Sequence, residues 1–544
     1  MPEPIAVELA KKQREVSVAE FFERNRHLLG FDNKRKALLT VVKEAVDNSL
    51  DACEEARIFP EIQVELVEMG PERFRVVVED NGPGIVKKQI PNIFAKLLYG
   101  SKFHSMKQSR GQQGIGISAA VMYAQLTTGR PARITSKIHE NEPAHYYELH
   151  INTAENTPEI VKEEIKQWKK EHGTRIELDI EATYQKGDQS VDSYLKGTAI
   201  VNPHASFVYT NPKAEQIVFS RVADRLPKEP TAIKPHPYGV ELGILLKMVR
   251  ATEKRTLQAF LTSEFSRVGP ETAKEICSNS GLQPDMKPAE IELAHVEKLM
   301  EGIKKTKIIA PSTECIVPIG EQLLEKGIRK EVNAEFYTTV TRSPEVYRGI
   351  PFVVEVALAY GGEQAGDQPV RLLRFANRVP LLYQQGACST FKAVTQTNWK
   401  PYGLQQSQGS FPSGALTIVV HLASVWPPFT SEAKEAIAHY PEILKEMKLA
   451  LQECGRKLGA YVNKKRRVGL ERDRVNMFEK FIPEVADSLA ILSGEAKKSI
   501  ETQLSQLLAK NKEFIRQNTA VVSKREAQDE TDNIKLGSQE SDDE

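Results

Sequence analysis

The sequence predicts a multidomain α/β protein, and three observations lead to that prediction. A chain of 544 residues is longer than one domain usually is, so about two to four domains are expected. Segments in which apolar and polar residues alternate, as in half-buried strands, are interspersed with segments of helical apolar spacing. A Pro-rich stretch over residues 226–237 marks the first boundary between domains.

The composition is that of an ordinary globular protein with almost balanced charge. Hydrophobic residues make up 40% and charged residues 27% of the chain. The net charge is +1, from 74 Lys and Arg against 73 Asp and Glu, so the chain as a whole is not a polybasic nucleic-acid binder. Local basic clusters remain at residues 326–330, at residues 464–467 and at Lys304, Lys305 and Lys307. Each either neutralises DNA phosphates or is a solvated helix end, and the sequence leaves both interpretations open.

The cysteines and the N-terminus indicate an intracellular protein. The five cysteines are scattered and include no CxxC pair, which argues against a disulfide framework or a zinc site. The N-terminus has no apolar signal core, and no apolar run is long enough to span a bilayer. We therefore expect a cytoplasmic protein without membrane contact.

The first half of the chain alternates helices and strands. Ser17 and Glu20 have the spacing of a capping box that opens a helix. Apolar residues at helical spacing between Leu38 and Val46 predict a second helix. Residues 62–66, 74–78 and 175–180 have the pattern of strands.

The second half begins with short helices and returns to a mixed pattern. Residues 239–308 are predicted to be helical, with a break at Gly269-Pro270. Residues 352–356 and 415–420 are strand candidates. A long helix is predicted from about Ser431 to Lys465, followed by an amphipathic stretch over residues 478–492 and an acidic tail.

The run EAVDNSLDA places Glu44 and Asn48 four residues apart on one helix face. A carboxylate there can act as a general base towards water. An amide oxygen one turn away can ligate Mg²⁺, a hard cation that prefers oxygen ligands. A solvated acidic helix face explains the same run equally well when it is considered alone.

Two glycine-containing segments follow this helix. Asp80 precedes Gly82-Pro83-Gly84, and a lone carboxylate there either accepts a hydrogen bond from an exocyclic amine such as that of adenine or forms a turn. The loop at residues 111–116 leads into a helix, so its backbone amides can approach phosphate oxygens. No GKS or GKT follows, which excludes a Walker A loop, and a helix precedes the arrangement, which excludes a Rossmann fingerprint.

These three segments and the Gly173-Thr174 step resemble, in order, the four motifs of the Bergerat fold of GHKL ATPases. That superfamily includes type II topoisomerases, MutL, a heat-shock chaperone and sensor histidine kinases. The resemblance implies that Glu44 activates water, that Asn48 binds Mg²⁺, and that Asp80 contacts adenine with Thr174 supporting it through water. It also implies that ATP contacts Gly84, that Ser101 and Lys102 lie on a lid, and that the phosphates contact Gly111, Gln112, Gln113, Gly114, Ile115, Gly116, Ile117 and Ser118.

Lys400, in the run NWKPYG, is a further candidate. A lysine is a compact, mobile charge that can sense a γ-phosphate. Taken alone, the run is better explained as an aromatic turn with a surface lysine. Downstream of a Bergerat module it resembles the switch lysine of a transducer domain, which gives Lys400 a catalytic and nucleotide-binding role. Residues 374–382 resemble another transducer segment.

The whole layout resembles that of the ATPase subunits of type IIB DNA topoisomerases, the topoisomerase VI type. The implied fold is a Bergerat-type α/β sandwich, a small helix-two-turn-helix module, and an α/β transducer domain (ribosomal protein S5 domain 2-like) ending in a long stalk helix. The implied boundaries are an N-terminal arm at 1–16, the GHKL ATPase domain at 17–228, the helix-two-turn-helix domain at 229–308, the transducer domain with stalk helix at 309–470, a helical segment at 471–510 that docks the DNA-cleaving A subunit, and a polar acidic tail, expected to be disordered, at 511–544.

The same resemblance implies the function. The chain would bind and hydrolyse ATP with Mg²⁺ in a nucleoid-associated enzyme that relaxes positive and negative supercoils by ATP-gated double-strand passage. A separate, topoisomerase VI-like A subunit would cleave double-stranded DNA within an A2B2 heterotetramer, and two copies of this chain would dimerise on binding ATP, with the N-terminal arm reaching across. The alternative is a GHKL ATPase clamp of the chaperone type or the MutL-like repair type.

Overall fold

The structure, a computed structural model, describes residues 5–11, 13, 15–102, 105–111, 113–431 and 433–510. The predictions for Gln112 and for the tail at 511–544 lie outside these residues. The chain divides into two units after Leu458, and the first unit holds both sheets. All five cysteines are buried free thiols. None of the described helices combines the length and the apolar character that crossing a bilayer requires.

The alternating segments of the first half belong to one eight-stranded sheet. Its strands are β1 (Glu61–Gly70), β2 (Arg73–Glu79), β3 (Ala132–Lys137), β4 (Ala144–Asn152), β5 (Thr157–Lys166), β6 (Gly173–Glu181), β7 (Ser206–Thr210) and β8 (Gln216–Phe219). They pair in the order β5-β4-β3-β6-β2-β1-β7-β8, antiparallel except for the parallel pair β1 and β7. Ile62, Val64 and Leu66 are buried while the residues between them are exposed, which confirms the predicted alternation.

Among the described residues, six α-helices belong to the same part of the chain, and the last four of them contact this sheet. They are α1 (Ile5–Lys11), α2 (Val18–Arg24), α3 (Lys34–Glu55), α4 (Ile90–Ala95), α5 (Gly116–Thr128) and α6 (Val191–Val201). The helices α3, α5 and α6 contact the sheet and pack beside one another over a shared apolar core. The Ser17 hydroxyl accepts a hydrogen bond from the Glu20 amide at 3.0 Å, and the Asn33 side chain caps α3 in the same way at 2.9 Å.

A helical module follows the first sheet, as predicted. It consists of α7 (Leu242–Ala251), α8 (Leu257–Glu264), α9 (Pro270–Ser280) and α10 (Leu293–Lys305). Phe260, Leu261, Ile276 and Leu299 are fully buried in a core of its own. A Cβ at Gly302 would lie 2.7 Å from the Ile276 carbonyl oxygen, so this glycine lets α10 pack closely on α9.

The second sheet carries the remaining strands of the first unit. They are β9 (Phe336–Thr341), β10 (Glu345–Tyr347), β11 (Ile350–Tyr360), β12 (Arg371–Ala376), β13 (Val379–Pro380) and β14 (Leu416–Ser424), with helices α11 (Glu321–Glu331) and α12 (Ser389–Gln396). The order is β10-β11-β14-β12-β13, and β9 also pairs with β11. A Cβ at Gly327 would lie 2.0 Å from the Ile200 carbonyl oxygen, so α11 approaches α6 closely and the apolar core continues between the two sheets.

The long helix differs from the prediction at both ends. It is α13 (Pro441–Ser493), 53 residues long, and a further helix occupies residues 497–510. The described residues on either side of position 432 form a turn instead of a helix, because Phe429 pairs with Ile437 and Thr430 N donates to the Ala436 carbonyl. The expected boundary at 470/471 falls within α13.

Candidate nucleotide-binding site

A cavity of about 620 Å³ lies between α3, α5, the turn after β2 and two loops from the side of the second sheet, residues 380–383 and 433–435. Its size suits a nucleotide-sized ligand. Most of the predicted site residues line it: Glu44, Asn48, Asp80, Gly84, Ser101, Lys102, Gly111, Gln113, Gly114, Ile115, Gly116, Ile117 and Thr174. Ser118 lies buried behind them, where its hydroxyl donates to the Ile115 carbonyl at 3.0 Å.

Helix α3 presents Glu44 and Asn48 to the glycine-rich loop. A Cβ at Gly116 would lie 1.7 Å from Glu44 Oε2, and a Cβ at Gly111 would lie 3.5 Å from Asn48 Oδ1. The carboxylate therefore occupies the space that any side chain at position 116 would need. The opposite face of α3 is apolar and buried, which fixes the orientation of the two polar side chains.

Asp80 forms the far end of the cavity. Its carboxylate accepts hydrogen bonds from the Ser49 hydroxyl at 2.8 Å, the Gly82 amide at 2.9 Å and the Thr174 amide at 3.0 Å. Burial raises the pKa of Asp80, and these three hydrogen bonds oppose the shift. The contact from Thr174 is a direct backbone hydrogen bond, whereas the resemblance implies a contact through water.

The turn after Asp80 requires glycine. Gly84 has a φ of +70°, and a Cβ there would lie 2.0 Å from the Lys137 carbonyl oxygen. Gly173 has a φ of +140°, and a Cβ there would lie 2.3 Å from the Asp80 carbonyl oxygen. The backbone of β6 therefore approaches Asp80 closely enough for the Thr174 amide to reach its carboxylate.

The glycine-rich loop ends where α5 begins. Gly116 is the first residue of α5, with Ile115 as its N-cap, and the first-turn residues Gly116 and Ile117 line the cavity. A helix N-terminus carries unsatisfied amides and a partial positive charge. The loop and the helix thus provide a site for phosphate oxygens.

Arg110, which the sequence patterns do not single out, holds this loop to α3. Its buried guanidinium donates to Asp51 at 2.8 Å, to Glu54 at 2.6 and 2.9 Å, and to Asn202. Lys102 donates to the other Asp51 oxygen at 2.8 Å. Burial alone would raise the pKa of Asp51, but the charges of Lys102 and Arg110 lower it. The predicted lid residue Lys102 is thus tied to the same carboxylate as the loop.

The lysine that reaches the cavity from the second sheet is Lys434, not Lys400. Lys434 lies in the turn between β14 and α13, and its Nζ donates to the Arg110 carbonyl at 2.6 Å. Burial lowers the pKa of Lys434. The nearby carboxylates of Glu44, Asp47 and Asp51 oppose this shift. Beside it, the Asn377 amide donates to the Ser109 carbonyl at 3.1 Å.

Lys400 is exposed on a short 3-10 helix, Lys400–Tyr402, and does not line the cavity. The structure therefore does not support its predicted contact with the γ-phosphate. The physical reason is that Trp399 and Tyr402 pack inward and leave the intervening lysine pointing to solvent. The sequence signal for Lys434 is weaker, a charged TSEAKEA run shortly after a strongly apolar strand.

Two family models match the chain. The model described as histidine kinase-, DNA gyrase B- and HSP90-like ATPase matches residues 33–184, which include Glu44, Asp80, the glycine-rich loop and Thr174. The model described as topoisomerase VI B subunit, transducer, matches residues 311–474, which include Lys434. The chain therefore contains an ATPase domain of the GHKL class, and the cavity is lined largely by residues of that domain.

Named relatives identify the particular family. The chain is 53% identical over 491 residues to the B subunit of type 2 DNA topoisomerase 6 from Methanococcoides burtonii, covering 90% of this chain and 79% of that protein. It is 52% identical to that of Methanosarcina acetivorans over 488 residues, covering 90% and 79%. It is 38% identical to that of Pyrococcus horikoshii over 574 residues, covering 96% and 100%.

The chain belongs to the family of type 2 DNA topoisomerase 6 B subunits. It is the ATPase subunit of a type IIB DNA topoisomerase, which is an isomerase. Family membership confirms the predicted ATPase fold, transducer domain and topoisomerase function, and it decides against the alternative of a chaperone or MutL-like clamp.

Proposed function

We propose that ATP contacts both walls of the cavity and that Lys434 binds the γ-phosphate. This contact would couple the presence of the γ-phosphate to the position of the second sheet. The observation that carries this proposal is the position of Lys434, which reaches the glycine-rich loop from the turn after β14. A lysine supplies a compact charge for a phosphate oxygen. Because ADP lacks the γ-phosphate, the contact distinguishes ATP from ADP.

Glu44 is the general base of the proposed reaction. Its carboxylate takes a proton from the water whose oxygen attacks the γ-phosphorus, while the bond to the bridging oxygen breaks and ADP leaves. The position of the carboxylate beside Gly116, where the phosphate-binding helix begins, supports this role.

Asn48 is the proposed protein ligand of Mg²⁺. Its amide oxygen faces the glycine-rich loop one helical turn from Glu44, and Mg²⁺ prefers such oxygen ligands together with waters and phosphates. The residues present therefore fit this ion, which when bound would neutralise phosphate charge. Asp80, braced by Thr174, is the proposed acceptor for the exocyclic amine of adenine.

The DNA-cleaving partner, the A subunit, is proposed to dock on residues 471–510. In this second unit Phe478 is 66% exposed, Ile491 84% and Leu492 82%, and large apolar side chains so exposed favour a partner surface. We also propose an A2B2 assembly, ATP-gated passage of double-stranded DNA and a cytoplasmic location beside DNA.

Dimerisation of two copies on ATP binding is proposed to use the N-terminal arm. Helix α1 exposes Ile5 at 75% and Leu9 at 55%, which gives the arm an apolar stripe for the second copy.

The basic cluster at 326–330 is partly engaged within the chain, because Lys330 donates to the Ser220 carbonyl and Arg329 lies over the Tyr337 ring. Residues 464–467 are a second basic cluster that we propose for contact with DNA phosphates.

Glu44→Ala tests the assigned base. The variant should bind ATP normally and lose about 10²–10⁴-fold in hydrolysis rate, because only the proton acceptor is removed. Glu65→Ala, on an exposed position of β1, is the control and should hydrolyse ATP at the wild-type rate. Wild-type hydrolysis by Glu44→Ala would show that another group is the base. Relaxation of supercoiled plasmid by the chain with its cleavage partner, absent in Glu44→Ala, tests the link to strand passage.

A further inference from the structure

Lys434 has a backbone conformation that a lysine rarely adopts. Its φ is +53°, in the left-handed region where a Cβ crowds the neighbouring carbonyl. A residue other than glycine stays there only where the surrounding contacts hold it. The Nζ contact with the Arg110 carbonyl orients the side chain but does not fix the turn itself. Contacts of the residues next to Lys434 must therefore hold it in place.

The next residue, Glu435, provides such contacts. Its side chain is buried, and its carboxylate forms an ion pair with Lys36 Nζ and accepts a hydrogen bond from Gln384 Nε2. Its backbone carbonyl accepts a hydrogen bond from Arg374 at 3.4 Å. Lys434 and Glu435 thus make contacts in two directions, one with the glycine-rich loop and the other with the start of α3.

Lys36 connects Glu435 to the helix that carries the proposed base. It lies in the first turn of α3, eight residues before Glu44, or about 12 Å along a rigid helix. Its Nζ also pairs with Asp32 at 2.9 Å and lies 5.2 Å from the centroid of the Tyr383 ring. The ion pair of Lys36 and Glu435 therefore fixes the turn of Lys434 relative to Glu44.

The buried carboxylate of Glu435 requires the positive charge of Lys36. A buried carboxylate without a cation is strongly unfavourable, so Glu435 stays buried only while Lys36 lies opposite. Burial would lower the pKa of Lys36, but Asp32 and Glu435 raise it, so Lys36 remains charged. The pair forms only when the second sheet lies against α3.

We infer that Lys36 and Glu435 are positioning residues for ATP hydrolysis, whose ion pair sets Lys434 where it meets the γ-phosphate. The inference rests on the proposed function of Lys434. Breaking the pair should weaken recognition of the third phosphate and leave the contacts to adenine and to the other phosphates intact. This pattern differs from that of a general loss of structure, which would weaken binding of ATP and ADP alike.

The test uses the full-length chain with Glu435→Gln, Lys36→Met, the double variant, the conservative Lys36→Arg, and Lys434→Ala. Lys34→Met is the matched control, because Lys34 lies in the same turn of α3 and pairs with Glu72 and Glu181 at 2.6 Å each, away from the cavity. The measurements are kcat for ATP, and the affinities for ADP and for a non-hydrolysable ATP analogue by calorimetry.

Glu435→Gln and Lys36→Met should each lower kcat and the affinity for the analogue about tenfold, with ADP affinity within about twofold of wild type. The double variant should be no slower than the slower single variant, because both remove one interaction. Lys36→Arg and Lys34→Met should behave as the wild type.

Two outcomes overturn the positioning role alone, provided that Lys434→Ala is slow. One is wild-type kcat in Glu435→Gln. The other is an equal loss of affinity for ADP and the ATP analogue. Wild-type turnover in Lys434→Ala would instead overturn the proposed function of Lys434, and the positioning role with it.

Discussion

Lys400 and Lys434 lie in two turns of the part of the chain that holds the second sheet, and the surroundings of the two lysines differ. In the first, Lys400 is flanked by Trp399, which is 0% exposed and donates from Nε1 to the Val394 carbonyl at 2.9 Å. Tyr402 lies edge-on to that indole and against Gly455 of α13. In the second, Lys434 has small or charged neighbours and reaches the nucleotide cavity.

The comparison shows that a conspicuous aromatic run in the sequence can indicate packing in the core, whereas a residue that takes part in chemistry can lie in an inconspicuous run. The run NWKPYG stands out because its aromatic side chains fill space between α12 and α13. Its lysine, Lys400, is left exposed to solvent. The run TSEAKEA is plain in sequence because its role depends on residues far away in the chain, at α3 and the glycine-rich loop. We expect four variants to test this separation.

Trp399→Ala should have the largest effect, and the effect should be on stability. Removing a fully buried indole from a core costs about 3–5 kcal/mol in free energy of unfolding. Urea unfolding should show this loss, while ATP affinity measured below the transition stays near wild type. Lost ATP affinity with unchanged unfolding would place the Lys400 turn in the nucleotide site after all.

Lys434→Ala should come next, with an effect on turnover. Loss of a positive charge that meets the γ-phosphate should lower kcat about 10²–10³-fold, equivalent to about 3–4 kcal/mol of barrier. Steady-state ATPase assays should show this without a comparable shift in the urea midpoint. If Lys434→Ala were destabilised and fully active, the roles of the two turns would be reversed.

Asp47→Asn probes the charged surroundings of Lys434. Burial raises the pKa of Asp47 to about 6. The unfolded chain loses this proton near pH 4, so the associated stability is complete below pH 4 and is lost as pH rises through 6.

The stability of Asp47→Asn relative to wild type should therefore increase by about 2–3 kcal/mol between pH 4 and 6 and stay level above. The Asn oxygen can still accept the hydrogen bond from Tyr194, which is 2.8 Å long. Unfolding of both proteins measured across this pH range checks the slope. If the difference in unfolding free energy between the variant and the wild type did not change with pH, burial would not raise the pKa of Asp47.

Lys400→Ala should have the smallest effect. An exposed side chain outside the cavity contributes within about 0.5 kcal/mol to stability, and kcat and KM for ATP should match the wild type. A drop in kcat of tenfold or more would restore Lys400 to the reaction.

The site on the first sheet is largely predictable because its geometry is local. Glu44 and Asn48 follow from helical spacing, and the glycines at 84 and 116 are required by contacts that no side chain fits. The strands β1, β2 and β6 follow from alternation or apolar runs. Strand β5 escapes prediction because it lies at the sheet edge, where most of its residues are exposed and few are apolar.

The contacts between distant segments are not predictable in this way. Arg110 meets Asp51, Glu54 and Asn202 only after α3, the loop and α6 have come together. The predicted start of α13 is ten residues too early, because Ala433, Ala436 and Ile437 fit a helical stripe as well as they fit the turn that precedes this helix. Such contacts depend on the tertiary fold, for which one sequence offers no periodic signal.

Because the cavity has walls from two parts of the chain, nucleotide affinity and the contact between those parts are thermodynamically reciprocal. Tyr383 and Lys434 line it from one side, and Glu44 and Gly116 from the other. Whatever tightens the contact tightens ATP binding by the same factor, and ATP strengthens the contact in return. A small molecule that binds only against α3 and leaves the Lys434 side of the cavity empty would compete with ATP without strengthening the contact with the second sheet.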